Sequence, residues 1–299
     1  MSGAGDQLKR TIATAGDLQV VVRSMKAVAA ASIVRYERAV NALALTDETV
    51  QRGLSACLGQ LGSGSVPRVA QPLAPAPRRL GVVVIGSDQG LVGRFNERVL
   101  EAGEPLFAGR HGVLTQLWTI GERMTSALQD RGLACTALEV PATVTGIARL
   151  AGAVLAAIAT AQTVQGLTAV MVLANRPAPG PGAGYAPATQ DLLPLDDAWL
   201  RGLAARPWPR AVRPDLLAPA LPTMQALLGE YLFVRVCRAC AESLASEQAS
   251  RLAAMQRADR TIDTLLAGLR LRFQRQRQEA IDEELFDVIA GSEALHPPS

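Results

Sequence analysis

Aromatic residues, cysteines and histidines are scarce in this 299-residue chain: aromatic residues make up 4%, and there are four cysteines and two histidines. Four cysteines are too few for the disulfide framework of a small secreted protein. Cys237 and Cys240 form a C-x-x-C pair within a helical pattern, but no second pair and no neighbouring histidine completes a metal-ligand set. We therefore expect packing cysteines in a reducing, cytoplasmic setting, and neither a metal nor a cofactor.

An excess of one charge and long hydrophobic runs are also lacking. Thirty lysines and arginines stand against 27 aspartates and glutamates, for a net charge of +3, which argues against a nucleic-acid partner.

The most apolar stretch, from Ile147 to Ala174, is interrupted before it reaches the ~18 apolar residues of a membrane span. We interpret it as a buried helix followed by a buried strand. The sequence thus predicts no direct membrane insertion, and any membrane association through partners.

Proline is absent from the sequence between Gly5 and about Leu61, and apolar residues recur there at every seventh position. A heptad repeat sustained this long predicts a coiled-coil helix, and roughly 55 residues would span about 80 Å. A helix of this length needs a partner helix. The heptad positions are Leu8, Ala15, Val22, Ala29, Tyr36, Leu43, Val50 and Cys57, and Ile12, Leu18, Met25, Ile33, Val40 and Leu54 widen the stripe.

The other end of the chain repeats this character. From about Thr223 to Leu295 the sequence lacks proline, and apolar residues recur at spacings of three and four. Two helices of this length are most simply accommodated by antiparallel pairing into one coiled coil. A bundle of shorter helices is the alternative that the pattern alone leaves open.

The middle of the chain alternates short apolar runs with helical patterns, which is typical of an α/β sheet with helices on its faces. We therefore predict a long antiparallel coiled coil with an inserted Rossmann-like α/β domain. Its predicted boundaries are an N-terminal coiled-coil helix over 1–61, a linker over 62–79, the α/β domain over 80–219 and a C-terminal coiled-coil helix over 220–299. The predicted strands are Leu80–Ile85, Val113–Ile120, Leu167–Leu173 and a short one within Ala134–Val140, and the predicted helices are Gly93–Ala102, Glu122–Arg131 and Ile147–Thr163; a proline-rich loop is predicted over Pro177–Pro187.

The segment from Ile85 to Gly93 follows a predicted strand and opens a predicted helix, where nucleotide phosphates often bind. No Gly-Lys-Ser/Thr sequence closes it as in a Walker loop, and it does not read G-x-G-x-x-G. A tight strand-to-helix turn is the favoured interpretation. A nucleotide-binding α/β protein with coiled-coil dimerisation arms is the alternative. The residues form no recognisable hydrolase triad, so we predict no catalytic residue.

Five sequence blocks, in the same order, resemble the F-type ATP synthase gamma subunit. They are Leu8–Ile12 and Met25–Ala31 near the N-terminus, Ser87–Gly93 in the middle, and Glu242–Met255 and Arg277–Ile281 near the C-terminus. The block Glu242–Met255 is the most specific of them. The resemblance covers all three parts of the chain and favours the coiled coil over a bundle of short helices.

The resemblance implies a non-catalytic subunit of an ion-translocating rotary complex. Its paired helices would form the central stalk inside three alpha and three beta subunits, and its α/β domain would sit with epsilon on the membrane c ring. Rotation would couple ion translocation to ATP synthesis or hydrolysis on beta. The complex would lie at the cytoplasmic face of a bacterial inner membrane. By the same resemblance, rotor–stator coupling residues would be Met25, Lys26, Arg251, Arg277 and Gln278.

The sequence also departs from the family pattern. Gln89 and Val92 replace a common arginine and cysteine in the middle block, and Leu18–Arg23 is more apolar than is usual. Phe273–Gln274 stands in place of tyrosine–asparagine, and Asp282 in place of threonine. The chain is therefore similar to a divergent member, such as one from an alternative sodium-translocating ATPase. The coupling ion is selected by the c ring and not by this chain.

Overall fold

The computed structural model describes residues 2–61, 78–141, 143–178, 184–208 and 214–295. Two long helices begin and end the described chain: α1 spans 60 residues and α6 spans 76. The predicted linker over 62–79 lies outside the described residues except for its last two positions. The elements in chain order are α1 (Ser2–Leu61), β1 (Arg79–Ile85), α2 (Phe95–Phe107), β2 (Val113–Ile120), α3 (Glu122–Gln129), β3 (Thr136–Leu138), α4 (Gly146–Gln165), β4 (Ala169–Pro177), β5 (Tyr185–Leu193), α5 (Asp197–Ala205) and α6 (Ala220–Leu295).

The chain divides into two compact units, and both long helices contribute to each. The first unit contains Met1–Val28 and Leu252–Ser299, and the second contains Ala29–Arg251. The predicted heptad stripe along α1 is confirmed by burial: all eight of its positions are buried or half-buried. Leu18, one of the residues predicted to widen the stripe, is 55% exposed instead.

The second unit is built on a five-stranded mixed sheet in the order β3-β2-β1-β4-β5. Strands β3, β2, β1 and β4 are parallel to one another, and β5 is antiparallel to β4. The central strand β1 is buried on both faces, as expected for a parallel strand covered by helices on either side. The prediction of an α/β sheet is confirmed, and the sheet is mixed.

Strand β5 is absent from the sequence-based prediction, which assigned a loop over Pro177–Pro187. β4 runs to Pro177, and β5 begins at Tyr185; residues 179–183 between them lie outside the described chain. Pro187 pairs with Asn175 across the two strands. A proline is tolerated there because β5 is an edge strand, where one row of backbone N–H groups needs no partner. Helix α2 likewise continues through Pro105, beyond its predicted end at Ala102.

The two faces of the sheet are covered by different helices. On one face, Val83, Ile85 and Val172 pack with the apolar side of α4 and with the middle of α6. On the other face, Val82, Val84 and neighbouring residues pack with α2 and α3. Helix α4 is long and apolar enough to cross a membrane by length and composition alone, but its apolar side, from Ile147 to Ala161, lies in the first of these layers.

The C-x-x-C pair lies inside that layer. Cys237 and Cys240 are 3% and 1% exposed, and burial raises the pKa of Cys237 to about 11 and that of Cys240 to about 12. Thiols held this firmly in the protonated form are poor nucleophiles and poor metal ligands. The two residues therefore serve as packing groups, as the sequence predicted.

Candidate functional site

The loop between β1 and α2 is closed by its own hydrogen bonds. The Ser87 backbone N–H donates to Asn96 Oδ1 at 2.9 Å, and Asn96 Nδ2 donates back to Ser87 Oγ at 2.8 Å. The Arg123 N–H donates to the Ser87 carbonyl at 3.2 Å. The Glu122 N–H donates to Asp88 Oδ1 at 3.3 Å. The Ser87 N–H, a backbone donor at the start of this loop, is thus already used within the chain.

This loop is also tied to α6. Ser250 Oγ donates a short hydrogen bond to the Val92 carbonyl, and the Tyr185 hydroxyl lies 2.8 Å from Ser250 Oγ. The Tyr185 ring packs at 5.5 Å from the ring of Phe95, the first residue of α2. The blocks Ser87–Gly93 and Glu242–Met255, which are far apart in sequence, therefore meet at Val92 and Ser250. Sequence reasoning missed Asn96 and Tyr185, which hold this junction.

We expect the isolated chain to bind neither ATP nor NAD more tightly than about millimolar Kd, or roughly −4 kcal/mol. The physical reason is that the Ser87 N–H already donates to Asn96, and that the Asp88 carboxylate in the same loop would repel a phosphate. Isothermal titration calorimetry with each nucleotide measures this directly. A submillimolar Kd would instead favour the nucleotide-binding alternative.

Arg251 is the predicted coupling residue nearest this junction in sequence. Its guanidinium pairs with Glu247 one helical turn earlier at 2.7 Å, and the two side chains are only 11% and 6% exposed. Burial raises the pKa of Glu247, and the neighbouring Arg251 opposes that rise. Removing either partner would leave a buried charge unpaired. Arg251 is thus engaged within the second unit.

In the first unit, five polar side chains of α1 and α6 form what we call the Asp259 cluster. Lys26 Nζ lies 2.8 Å from Asp259 Oδ2, and Arg23 Nε lies 3.1 Å from Asp259 Oδ1. Gln19 Nε2 donates to the same Oδ1 at 3.3 Å and to Asp263 Oδ1 at 2.5 Å. Hydrogen bonding by Lys26 is the main cause that lowers the pKa of Asp259 below its ordinary value. Asp259 therefore carries its charge throughout the neutral range.

The contacts between α1 and α6 in the first unit run in opposite sequence directions along the two helices. Lys9 Nζ lies 5.7 Å from the centre of the Phe273 ring, Gln19 reaches Asp263, and Lys26 reaches Asp259. Successive residues of α1 thus contact progressively earlier residues of α6.

The remaining predicted coupling residues lie in different surroundings. Met25 is half-buried beside Lys26, whereas Arg277 and Gln278 are exposed. These two exposed residues follow Asp259 by 18 and 19 positions in α6, which is about 27 Å or more along a helix. Within the first unit, the predicted coupling residues therefore form two pairs of sequence neighbours, Met25 with Lys26 and Arg277 with Gln278.

The sequence analysis did not predict the Asp259 cluster, because the periodicity of apolar residues does not report polar contacts between helices. Its signal is nevertheless present: Gln19, Arg23 and Lys26 recur at helical spacing on α1, and Asp259 and Asp263 are four apart on α6. Residues three or four positions apart lie on the same face of a helix, so the three donors share one face of α1 and the two carboxylates share one face of α6. Among the described residues, histidine, cysteine and acidic side chains form no group of three or more suited to a metal ion.

Comparisons with known proteins identify the family. A family model described as ATP synthase matches residues 5–295. The ATP synthase gamma chain of Anaeromyxobacter sp. (strain Fw109-5) is 29% identical over 302 residues, covering 96% of this chain and 98% of the relative. The gamma chain of Actinobacillus pleuropneumoniae serotype 5b (strain L20) is 27% identical over 307 residues, covering 99% and 100%.

Solved structures show the same fold. The rotor of the Euglena gracilis mitochondrial ATP synthase matches with a TM-score of 0.57 at 19% identity, covering 94% of this chain and 100% of that one. A central-stalk and c-ring structure of the Tetrahymena thermophila mitochondrial ATP synthase matches with a TM-score of 0.54 at 24% identity, covering 80% and 99%.

Proposed function

The chain belongs to the ATP synthase gamma family, and we propose that it is the central rotor-stalk subunit of a rotary ATP synthase or ATPase. The family match over residues 5–295 is the observation that carries this proposal. In this role the chain is part of a membrane-associated complex. It couples ion translocation through the c ring to ATP synthesis or hydrolysis on the beta subunits, and the chemistry takes place on beta.

We infer that the terminal parts of α1 and α6 pair as an antiparallel coiled coil, which gives the stalk its stiffness. The falling order of α6 contacts along α1, from Phe273 to Asp263 to Asp259, supports this arrangement. The four parallel strands with helices on both faces support a Rossmann-like description of the inserted domain. The boundaries proposed for these parts are 1–61, 62–79, 80–219 and 220–299.

The five coupling residues are proposed to act in two ways. Arg277 and Gln278 are exposed on α6, which suits side chains that contact surrounding subunits. Exposed ion pairs contribute about 0–1 kcal/mol each, so such contacts can form and break at every rotational step. Lys26 and Arg251 each bind a carboxylate of the chain itself, and Met25 lies beside Lys26. Met25 and Lys26 are proposed to shape the coupling surface of the first unit, and Arg251 that of the second.

The proposed partners are three alpha and three beta subunits, one epsilon subunit and the c ring, with neither nucleic acid nor direct membrane insertion. The proposed location is peripheral, at the cytoplasmic face of a bacterial inner membrane.

The experiment that tests the function is recovery of the complex from native membranes. An affinity-tagged chain is expected to co-purify with alpha, beta and epsilon in a 3:3:1 ratio to one gamma, because the stalk is enclosed by its partners. Native mass spectrometry measures the ratio, and mock purification from the untagged strain is the control. Recovery of a stable lone monomer would contradict the proposal.

A further inference from the structure

Few apolar side chains are fully buried in the helix pairing of the first unit. Among its described residues, α1 contributes only Ala15 to the buried apolar set, and α6 contributes Met255, Leu266 and Leu269. Gln19 and Asp259 are buried among them at 9% and 8% exposure. A small alanine side chain makes few contacts that could define the rotation of a helix about its own axis.

Between residues 18 and 28, a second apolar stripe lies on α1 beside the heptad stripe, and most of it is exposed. Leu18, Val21 and Val28 are 55%, 54% and 60% exposed, and the half-buried Met25 completes the stripe. The spacing of these four residues is three, four and three, which is the spacing of a coiled-coil core. The heptad stripe has only Val22 between residues 18 and 28, so burial of apolar surface alone would favour, in this segment, a rotation of α1 that turns the second stripe toward α6.

We propose that Asp259 is a positioning residue that selects the rotation of α1 by binding Gln19, Arg23 and Lys26, and so keeps Met25 and its apolar stripe on the outer flank. The geometry is specific. Both oxygens of Asp259 are used: Oδ2 by Lys26, and Oδ1 by Arg23 and Gln19. Asp263 contacts two of the same donors, so two cations face two anions.

The alternative rotation would break this arrangement. Neighbouring residues of a helix are about 100° apart, so turning the Met25 stripe toward α6 would move Lys26 away by the same angle. Asp259, whose side chain is 12% exposed, would then lose the donors that compensate its burial. An uncompensated buried carboxylate is costly, and polar groups at helix interfaces are known to specify register in this way.

The functional consequence of this inference rests on the proposed stalk function. In a rotor stalk, Asp259 would control which side chains the coupling region presents to the surrounding subunits. The direct test is a distance between spin labels on the full-length chain. Labels at Ser24→Cys on α1 and Thr264→Cys on α6, both exposed positions, are introduced with Cys135→Ser, which removes the partly exposed native thiol. Pulsed electron paramagnetic resonance measures the distance distribution.

Asp259→Asn keeps the shape of the side chain and removes its charge. We expect the distance distribution to broaden or shift by up to about 8 Å, the displacement of a helix surface on a 100° rotation. Asp259→Glu should restore a narrow distribution. Asp17→Asn, which neutralises an exposed carboxylate on α1 in the same unit, is the matched control and should leave it unchanged. An unchanged distribution in Asp259→Asn overturns the proposal.

Coupling is the second readout, measured in the assembled complex in vesicles as membrane potential generated per ATP hydrolysed. Asp259→Asn should lower this ratio to about half or less of the wild-type value, since coupling depends on side-chain position, and Asp259→Glu should recover most of it. A ratio equal to that of Asp17→Asn overturns the positioning role.

If the wild-type complex itself generates no potential, the proposed function fails, while the distance measurement still tests the cluster. If Asp259→Asn does not fold, Arg23→Gln, which leaves the Lys26 contact, should give a smaller shift in the same direction; no shift overturns the proposal.

Discussion

Replacement of Gly121 by alanine is expected to lower the free energy of unfolding by about 3 kcal/mol or more. Gly121 joins β2 to α3 with a φ of +108°, and an added Cβ would lie 2.6 Å from the Ser87 carbonyl oxygen and 2.8 Å from that of Gly86. Neither backbone oxygen can move without distorting the loop after β1. Chemical denaturation followed by far-UV circular dichroism measures the loss.

Gly132→Ala is the matched control for this prediction. Gly132 also has a positive φ, +76°, but a Cβ added there would meet no atom within 4 Å. Alanine at this position should cost only the backbone strain, about 1–2 kcal/mol. Equal losses in the two variants would show that backbone strain alone, and not crowding against the loop, explains the effect at Gly121.

Met25→Lys is expected to reduce the ions pumped per ATP hydrolysed severalfold while changing the stability of the chain little. The new cation would stand beside Arg23 and Lys26, which already share Asp259, and would repel both. Because Met25 is half-buried at the edge of the pairing, a lysine can extend its ammonium group into solvent and leave the fold intact. Vesicles with the reconstituted complex allow pumping and hydrolysis to be measured together.

Met25→Leu separates charge from packing in this experiment, because the exchange conserves volume and apolar character. It should couple nearly as well as the wild type. If Met25→Lys pumps with an unchanged ratio, the coupling role of Met25 is wrong. If Met25→Leu fails as badly as Met25→Lys, the shape of methionine matters there and the charge does not.

Most of the secondary structure could be predicted from local sequence. The long helices were predicted from proline-free segments, with a heptad repeat in the first and apolar spacings of three and four in the second. The strand Val113–Ile120 was predicted with the bounds that the structure has. Helix α4 was predicted to within one residue at its start, because Gly146 and Gly166 flank a continuous apolar pattern. These features depend on residues close together in the chain, and local propensity and periodicity report them well.

Strand β5 could not be predicted in the same way. Its sequence from Tyr185 to Leu193 contains a proline and alternates weakly, and it forms a strand because β4 offers an unpaired edge. The junction of Val92 with Ser250 has the same character, since 158 positions separate the two residues. A hydrogen bond between such distant segments leaves no periodic signal in either of them.

The sequence by itself determined that this chain has two long terminal helices, an α/β middle and the blocks of the gamma family. Each of these features depends on the type and spacing of residues that are close together in the chain. Only the tertiary structure decided which polar side chains beside the heptad stripe of α1 reach α6. Leu18, Val21 and Met25 also have coiled-coil spacing, yet the side that carries Gln19, Arg23 and Lys26 binds Asp259. The physical reason is that a buried carboxylate needs its donors, and their position on the partner helix cannot be read from either segment alone.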